Sequence, residues 1–137
     1  MALYKQLALG AGLAALLSTA AHADLSGKVI GFSQIGSESG WRAAETSVTK
    51  AEAEKRGVDL KFADAQQKQE NQIKAIRGFI AQGVDAILVA PVVSTGWDEV
   101  LTEAQEASIP VVLLDRGIDA SQDLYLTSVA SDQVKEG

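Results

Sequence analysis

Apolar runs recur along this chain at the spacing of a repeated strand and helix. Four of them begin near residues 29, 60, 86 and 111, at intervals of 31, 26 and 25 residues. Such an interval accommodates one strand, one crossover helix and the loops that lead to the next strand. The repeat therefore predicts an α/β fold with a largely parallel sheet.

The predicted strands follow the apolar runs. They cover Val29–Ser33, Leu60–Ala63, Ala86–Ala90, Val111–Leu114 and Leu124–Val129. The third run is continuously apolar and is closed by Pro91, which is typical of a strand with both faces covered. We therefore expect helices on both faces of the sheet.

Three helices are predicted between these strands, because apolar side chains recur there at helical spacing. Gly57 and Gly83 follow the first two helices and are suitable stop residues. The apolar positions are Trp41, Ala44, Val48 and Ala51 in the first helix, Ile73, Ile76, Phe79 and Ile80 in the second, and Trp97, Val100, Leu101 and Ala104 in the third.

Residues 1–23 have the three parts of a secretory signal peptide. Lys5 supplies a positive charge, residues 7–17 form an apolar stretch, and Ala21-His22-Ala23 matches the small-x-small cleavage pattern. The apolar stretch is shorter than the roughly 20 residues that a membrane span requires. We therefore expect export to a bacterial periplasm, cleavage after Ala23, and one soluble domain over residues 24–137.

The last predicted strand is followed by a short polar segment, residues 131–137. Its sequence resembles the first turns of a helix that would stop before it covers its strand. The expectation is therefore that residues 24–137 form an incomplete lobe.

Composition excludes several partners and chemistries. The chain carries 12 Lys and Arg against 18 Asp and Glu, a formal net charge of -6, which disfavours nucleic acid and anionic membranes as partners. There is no Cys, and the single His, His22, lies in the predicted signal peptide. Residues 24–137 therefore lack the side chains for Ser-His-Asp or Cys-His catalysis and for a His- or Cys-ligated metal site.

Ligands of open α/β sheets bind beyond the carboxyl ends of the strands, so the residues after each apolar run are the site candidates. The glycines around the first strand end, Gly31, Gly36 and Gly40, do not form a dinucleotide-binding pattern. No Gly-Lys-Ser or Gly-Lys-Thr is present either. Nucleotide and phosphate binding are therefore not expected.

Trp41, Arg42 and the Asp115-Arg116 pair all follow strands and suit a neutral polyol. An indole offers a flat apolar face to the C–H side of a sugar ring. Arg and Asp supply fixed donors and acceptors for vicinal hydroxyls.

Some of these residues could have a purely structural role instead. Trp41 continues an apolar helical stripe and could belong to the core, and Arg42 could be a solvated surface charge. Trp97 lies in a longer apolar stripe and is expected in the core. Asp64 is expected to cap a helix or close a turn.

Four segments of the chain resemble a known family. They are KVIGFSQIGSESGWRAAETSVTKAEAEKRG, QENQIKAIRGFIAQGVDAILVAPVVSTGW, IPVVLLDRGI and VASDQVKEG. The resemblance is to the ribose-type periplasmic binding proteins, the sugar-binding receptors of bacterial ABC transporters, and runs from about Lys28 to Gly137. Within that family, SESGWRAAE is similar to the galactofuranose-binding members.

The resemblance implies two similar α/β lobes that close on one sugar, with this chain holding the first lobe and lacking the second. Matched by position, the implied ligand-binding residues are Trp41 for stacking and Arg42, Asp115 and Arg116 for hydrogen bonds to hydroxyls, with Gln34, Glu38 and Ser39 as further candidates in the loop after the first strand.

The function that the resemblance implies is capture of a monosaccharide, galactofuranose or a related hexose or pentose, and its delivery to an inner-membrane ABC permease. We expect a monomer with no cofactor, no metal, no catalytic activity and no nucleic-acid partner.

Two functions of other classes remain as alternatives. One is an exported carbohydrate-active enzyme that uses Glu38 and Asp115 as acid and base. Arg116 follows Asp115 directly, and its charge suits a carboxylate that accepts hydrogen bonds better than one that donates a proton. The other is the effector lobe of a sugar-responsive transcription regulator, which would need a helix-turn-helix where this chain has an export signal.

Overall fold

The computed structural model describes residues 23–130, in which parallel strands alternate with helices. The predicted signal peptide, apart from Ala23, and the predicted helix start at 131–137 lie outside the described residues. The elements are β1 (Val29–Gln34), α1 (Gly40–Lys55), β2 (Asp59–Asp64), α2 (Gln69–Gln82), β3 (Ala86–Val89), α3 (Asp98–Glu106), β4 (Val111–Leu114), a short 3-10 helix (Gln122–Leu124) and β5 (Thr127–Val129).

The five strands form one sheet in the order β2-β1-β3-β4-β5, and every neighbouring pair is parallel. The α/β fold with a parallel sheet is therefore confirmed. The chain moves outward from β1 to β2 and then returns to place β3 on the other side of β1. This reversal creates a crevice at the carboxyl ends of β1 and β3, where ligands of open α/β sheets bind.

The main core lies between the sheet and helices α2 and α3. Trp97 is 1% exposed in this core, which confirms its predicted place, and its indole N–H donates to the carbonyl of Val93 at 2.8 Å. Phe79 of α2 packs directly over Gly31 of β1, where any β-carbon would collide with the ring. Gly31 therefore permits the close approach of helix and sheet.

The apolar stripe of α1 does not lie in the core, which was one of the two interpretations left open for Trp41. Trp41 and Val48 are 56% and 67% exposed, whereas Arg42 and Ala53 are buried. The apolar stripe faces a groove of about 520 Å³ beside β4 and β5, and no helix within residues 23–130 covers that part of the sheet. The groove is lined by Trp41, Ala44, Glu45, Val48, Leu114, Asp115, Val129 and Ala130.

The fifth predicted strand is only partly correct. Residues 122–124 form a 3-10 helix instead, with the amide of Leu124 donating to the carbonyl of Ser121 at 3.1 Å. The carbonyl of Asp123 accepts from the side chain of Gln105 on α3 at 2.8 Å. The chain returns to the sheet at Leu126, whose amide donates to the carbonyl of Val111 on β4 at 2.8 Å, and β5 begins at Thr127.

The predicted helix stops are confirmed in position and conformation. Gly57 follows α1 with φ +67°, and Gly83 follows α2 with φ +65°, a left-handed conformation that glycine adopts without steric cost. Of the helices formed by residues 23–130, none has the length and apolarity to cross a bilayer.

Candidate functional site

The candidate site lies where the loop between β1 and α1 meets the end of β4. Ser39 is the N-cap of α1, and its hydroxyl accepts from the amide of Arg42 at 3.2 Å. This contact stabilises the first turn of the helix, which includes Trp41 and Arg42. The hydroxyl of Ser39, a predicted ligand contact, is engaged as a helix cap.

Arg42 and Asp115 form a buried ion pair between α1 and the end of β4. An Nη2 atom of Arg42 lies 2.8 Å from Oδ2 of Asp115, and the two side chains are 8% and 15% exposed. The interpretation of Arg42 as a solvated surface charge is therefore wrong. The structure instead joins two residues that sequence analysis selected separately for a sugar site.

The backbone at Asp115 is unusual for a residue with a side chain. Its φ is +68°, and the amide of Arg116 donates to the carbonyl of Leu114 at 2.7 Å, which closes a γ-turn of the rare positive-φ kind. The amide of Asp115 still bonds the carbonyl of Val129 at 2.8 Å. β4 therefore ends in an abrupt turn while its ladder to β5 stays intact.

Arg116 approaches the same carboxylate from the turn. Its Nε lies 3.5 Å from Oδ2 of Asp115, and its side chain is 53% exposed. Two guanidinium groups thus converge on Asp115, one buried and one open to solvent. An aspartate shared in this way is an acceptor, which argues against the acid-base role of the enzyme alternative.

Trp41 lies at the surface beside this charged pair. The guanidinium carbon of Arg42 is 5.1 Å from the centroid of the indole, and the tryptophan is 56% exposed. The interpretation of Trp41 as a core residue is therefore wrong. An exposed aromatic face next to fixed charges can receive a ligand that has an apolar face and a polar edge.

Gln34, a predicted ligand contact, is fully buried at the end of β1. Its side-chain oxygen accepts from the amide of Ile35 at 2.9 Å, and its Nε2 donates to Glu45 at 2.8 Å and Thr46 at 3.3 Å. Every hydrogen-bonding group of this amide except one oxygen lone pair is engaged inside the protein. Gln34 is therefore a structural residue of the site.

Glu45 belongs to the site and was not identified from the sequence. Its carboxylate lies 3.7 Å from Nη1 of Arg42 and is 14% exposed. The available signal was its position three residues after Arg42, a spacing at which opposite charges meet on a helix.

Glu38, the remaining predicted contact, is exposed in the loop before α1, and its carboxylate packs against Gly36. Within residues 23–130, neither a hydrogen bond nor an ion pair joins Glu38 to the Arg42–Asp115 pair. The structure therefore does not bring Glu38 and Asp115 together as a bonded acid-base pair.

One buried donor of the site has no acceptor. Nη1 of Arg42 makes no hydrogen bond within the described part of the chain, and the same holds for the hydroxyl of Ser33. Buried polar groups in folded proteins are nearly always satisfied, so an unsatisfied guanidinium donor is suited to a ligand oxygen. Among residues 23–130, no cluster of three or more potential metal-ligating side chains is present.

Searches among known proteins found related chains. The profile of the periplasmic binding protein domain matches residues 30–137. The galactofuranose-binding protein YtfQ of Escherichia coli (strain K12) is 59% identical over 136 residues, which are 98% of this chain and 42% of that protein. The fructose import binding protein FruE of Bifidobacterium longum (strain NCC 2705) is 37% identical over 84% of this chain and 38% of its own length.

Solved structures share the fold and much of the sequence. The binding protein of the arabinose ABC transporter from Shewanella sp. ANA-3, bound to α- and β-L-arabinofuranose, is 64% identical with a TM-score of 0.78, over 80% of this chain and 36% of that one. A protein from Mycobacterium smegmatis in complex with β-D-fucofuranose is 54% identical with a TM-score of 0.77, over 80% of this chain and 36% of its own.

The family profile and the solved structures agree with the parallel α/β sheet. This chain spans about two fifths of the length of the two curated relatives. It belongs to the family of the periplasmic binding protein domain.

Proposed function

We propose that this chain forms the first lobe of a sugar-binding receptor that captures a monosaccharide in its furanose form, with galactofuranose as the leading candidate. The observation that carries the proposal is the exposed indole of Trp41 beside the buried Arg42–Asp115 ion pair at the carboxyl ends of the strands. Flat apolar surface and fixed polar groups lie together there, as a sugar ring requires.

Each side chain has a proposed task. Trp41 stacks on the C–H face of the ring, and the unsatisfied Nη1 of Arg42 donates to a hydroxyl oxygen. Asp115 accepts from a second hydroxyl, and the exposed guanidinium of Arg116 closes over the ligand. Such charge-assisted bonds are stronger than bonds between neutral groups and fix the orientation of the ring.

The names of the relatives support a five-membered ring. Among proteins more than half identical to this chain, the names include galactofuranose, arabinofuranose and β-D-fucofuranose. These sugars share the ring form and differ at their substituents, so the ring form is the property that we propose for the ligand of this chain.

We also propose the cellular setting that the sequence predicts. Residues 1–23 direct export and are removed, and residues 24–137 belong to a periplasmic lobe that works as a monomer. The sugar would be enclosed when a second α/β lobe closes over this one, and the closed form would dock on an inner-membrane ABC permease. In such a mechanism the ligand shifts an equilibrium between open and closed states, and no bond is made or broken.

Sugar titration of the full-length protein tests the proposal. In solution, ¹³C-labelled D-galactose contains both ring forms, so NMR spectra with increasing protein reveal which form is bound. We expect selective loss of the furanose signals and a change in tryptophan fluorescence that is absent in a Trp41→Phe variant. Absence of binding to galactose, arabinose, fructose and ribose would refute the proposal.

A further inference from the structure

We infer that Glu45, held in place by Gln34, is a positioning residue that orients Arg42 for the sugar. The inference rests on the proposed function and adds two residues that would act without touching the ligand. The observations behind it are a chain of contacts from β1 through α1 to the end of β4.

The first contact fixes the orientation of the Gln34 amide. The backbone amide of Ile35 is a donor, so the atom that faces it at 2.9 Å must be the side-chain oxygen of Gln34. The side-chain nitrogen therefore points the other way, toward Oε2 of Glu45 at 2.8 Å. Because Gln34 is fully buried at the end of a central strand, it is a rigid anchor for that carboxylate.

The second contact is between Glu45 and Arg42, so the carboxylate that Gln34 fixes lies next to the guanidinium group. The same Oε2 atom of Glu45 lies 3.7 Å from Nη1 of Arg42, while Nη2 of Arg42 lies 2.8 Å from Asp115. The guanidinium is thus bracketed by two carboxylates that come from different elements. Rotation of the planar group would pull it away from one carboxylate or the other.

One N–H group of Arg42 has no acceptor among residues 23–130. Nη1 of Arg42 is close enough to Glu45 for charge attraction but makes no hydrogen bond with it. Glu45 therefore attracts Nη1 without accepting a hydrogen bond from it. An arginine side chain has many rotamers, and its ordering before the ligand arrives removes an entropic cost from binding.

A double-mutant cycle on the full-length protein tests the inference. The variants are Glu45→Gln, Arg42→Met and the double variant, and the measurement is the Kd for D-galactose or for L-arabinose, whichever binds the wild type more tightly. We expect Glu45→Gln to weaken binding on the order of tenfold in the wild-type background and to have no further effect beside Arg42→Met. Glu52→Gln is the matched control, because Glu52 lies on the same helix in a solvent-accessible pair with Arg56. Its Kd should equal that of the wild type.

The outcomes separate the inference from the proposed function. If the wild type binds neither sugar, the proposed function fails. If the wild type binds and Glu45→Gln binds as tightly as Glu52→Gln, the inference alone is refuted. Equal weakening by Glu45→Gln in both Arg42 backgrounds would also refute it, because Glu45 would then act without Arg42.

A Gln34→Glu variant provides a second test. It keeps the oxygen that accepts from Ile35 and places a carboxylate oxygen against Glu45 in place of the amide nitrogen. We expect binding weaker than that of Glu45→Gln in this variant, and binding restored to the level of Glu45→Gln alone when that substitution is added to supply a donor. If the second substitution does not restore binding, Gln34 does not act through Glu45.

Discussion

Arg42 on the first turn of α1 and Asp115 at the end of β4 lie 2.8 Å apart, with both side chains more than four-fifths buried. The pair joins two elements that sheet order alone would leave separate, since α1 follows β1 and β4 lies beyond β3. Removal of either charge would leave the other one buried without its main partner. The pair therefore connects α1 to the end of β4 and is also the centre of the candidate site.

Asp115→Asn should lower the free energy of unfolding by about 2 kcal/mol, since it removes one charge of a buried pair and retains a hydrogen-bonding oxygen. Asparagine also tolerates the positive φ at this position, so the backbone is not the cause of the loss. Urea unfolding of the full-length protein measures the change. The control is Asp59→Asn, whose exposed pair with Lys61 should contribute less than about 1 kcal/mol. Equal effects at the two positions would contradict the burial argument.

Truncation to alanine should lower the stability of the protein at Trp97 and its sugar binding at Trp41. Trp97→Ala should destabilise the protein by about 3–5 kcal/mol, because it empties a space in the core and removes the bond to Val93. Trp41→Ala should change stability by less than about 1 kcal/mol, because the indole is mostly exposed. The same variants, tested for sugar binding at a temperature where both are folded, should show the loss at Trp41 only. Similar stability losses for both variants would be incompatible with this assignment.

Gly31→Ala should destabilise the protein by about 1–3 kcal/mol, since the added methyl group collides with the ring of Phe79. A matched control is Gly78→Ala in α2, where nothing lies within 4 Å of the added carbon. That substitution should stabilise the helix by up to about 1 kcal/mol. Thermal unfolding shows which substitution lowers the stability and which raises it. Adding Phe79→Leu to Gly31→Ala should recover part of the lost stability. A neutral Gly31→Ala would mean that the helix moves freely off the sheet.

Acid should weaken the protein partly through Asp85. The amide of Val29 donates to this carboxylate at 2.8 Å and, with a smaller contribution from Lys28, holds its pKa below the ordinary 3.8 despite some opposing desolvation. A depressed pKa in the folded state gives stability that is present above the unfolded value and is lost as the pH falls through the folded value. Asp85→Asn should therefore have a lower Tm than the wild type at pH 7, and the gap should narrow as the pH falls below 3.8.

Asp119→Asn serves as the control for that pH series, because the side chain of Asp119 makes no hydrogen bond or ion pair within residues 23–130. Its Tm should follow that of the wild type across the same range. A gap between Asp85→Asn and the wild type that stayed constant from pH 7 to about pH 3 would show that the carboxylate charge is not responsible.

The sequence was sufficient to predict the order of strands and helices, because both follow from local hydrophobic spacing. It could not decide which face of α1 is buried. The apolar side chains of Trp41 and Val48 line a groove, while Arg42 is buried because Asp115 neutralises it from a distant strand. Burial of a charge depends on partners far along the chain, and local periodicity contains no information about them.

The candidate site, too, could be predicted only in part from the sequence. Trp41, Arg42, Asp115 and Arg116 were predicted because they follow strand ends or a loop, and the structure places the last three in one ion-pair cluster with Trp41 stacked beside it. Gln34 and Ser39 were selected for their position in the loop, but their polar groups are directed into the protein. Only the three-dimensional arrangement distinguishes a side chain that faces a ligand from one that supports its neighbour.

The γ-turn at Asp115 places two independent demands on a single position. The turn needs a residue that accepts positive φ, and Arg42 needs a buried negative charge at a fixed distance. Glycine and asparagine meet the first demand only, and glutamate meets the second with a longer side chain that tolerates the turn less well. Exchange of aspartate for glutamate, usually a conservative substitution, is therefore unfavourable at position 115. We expect variation in ligand preference to arise from the residues around Asp115 rather than from Asp115 itself.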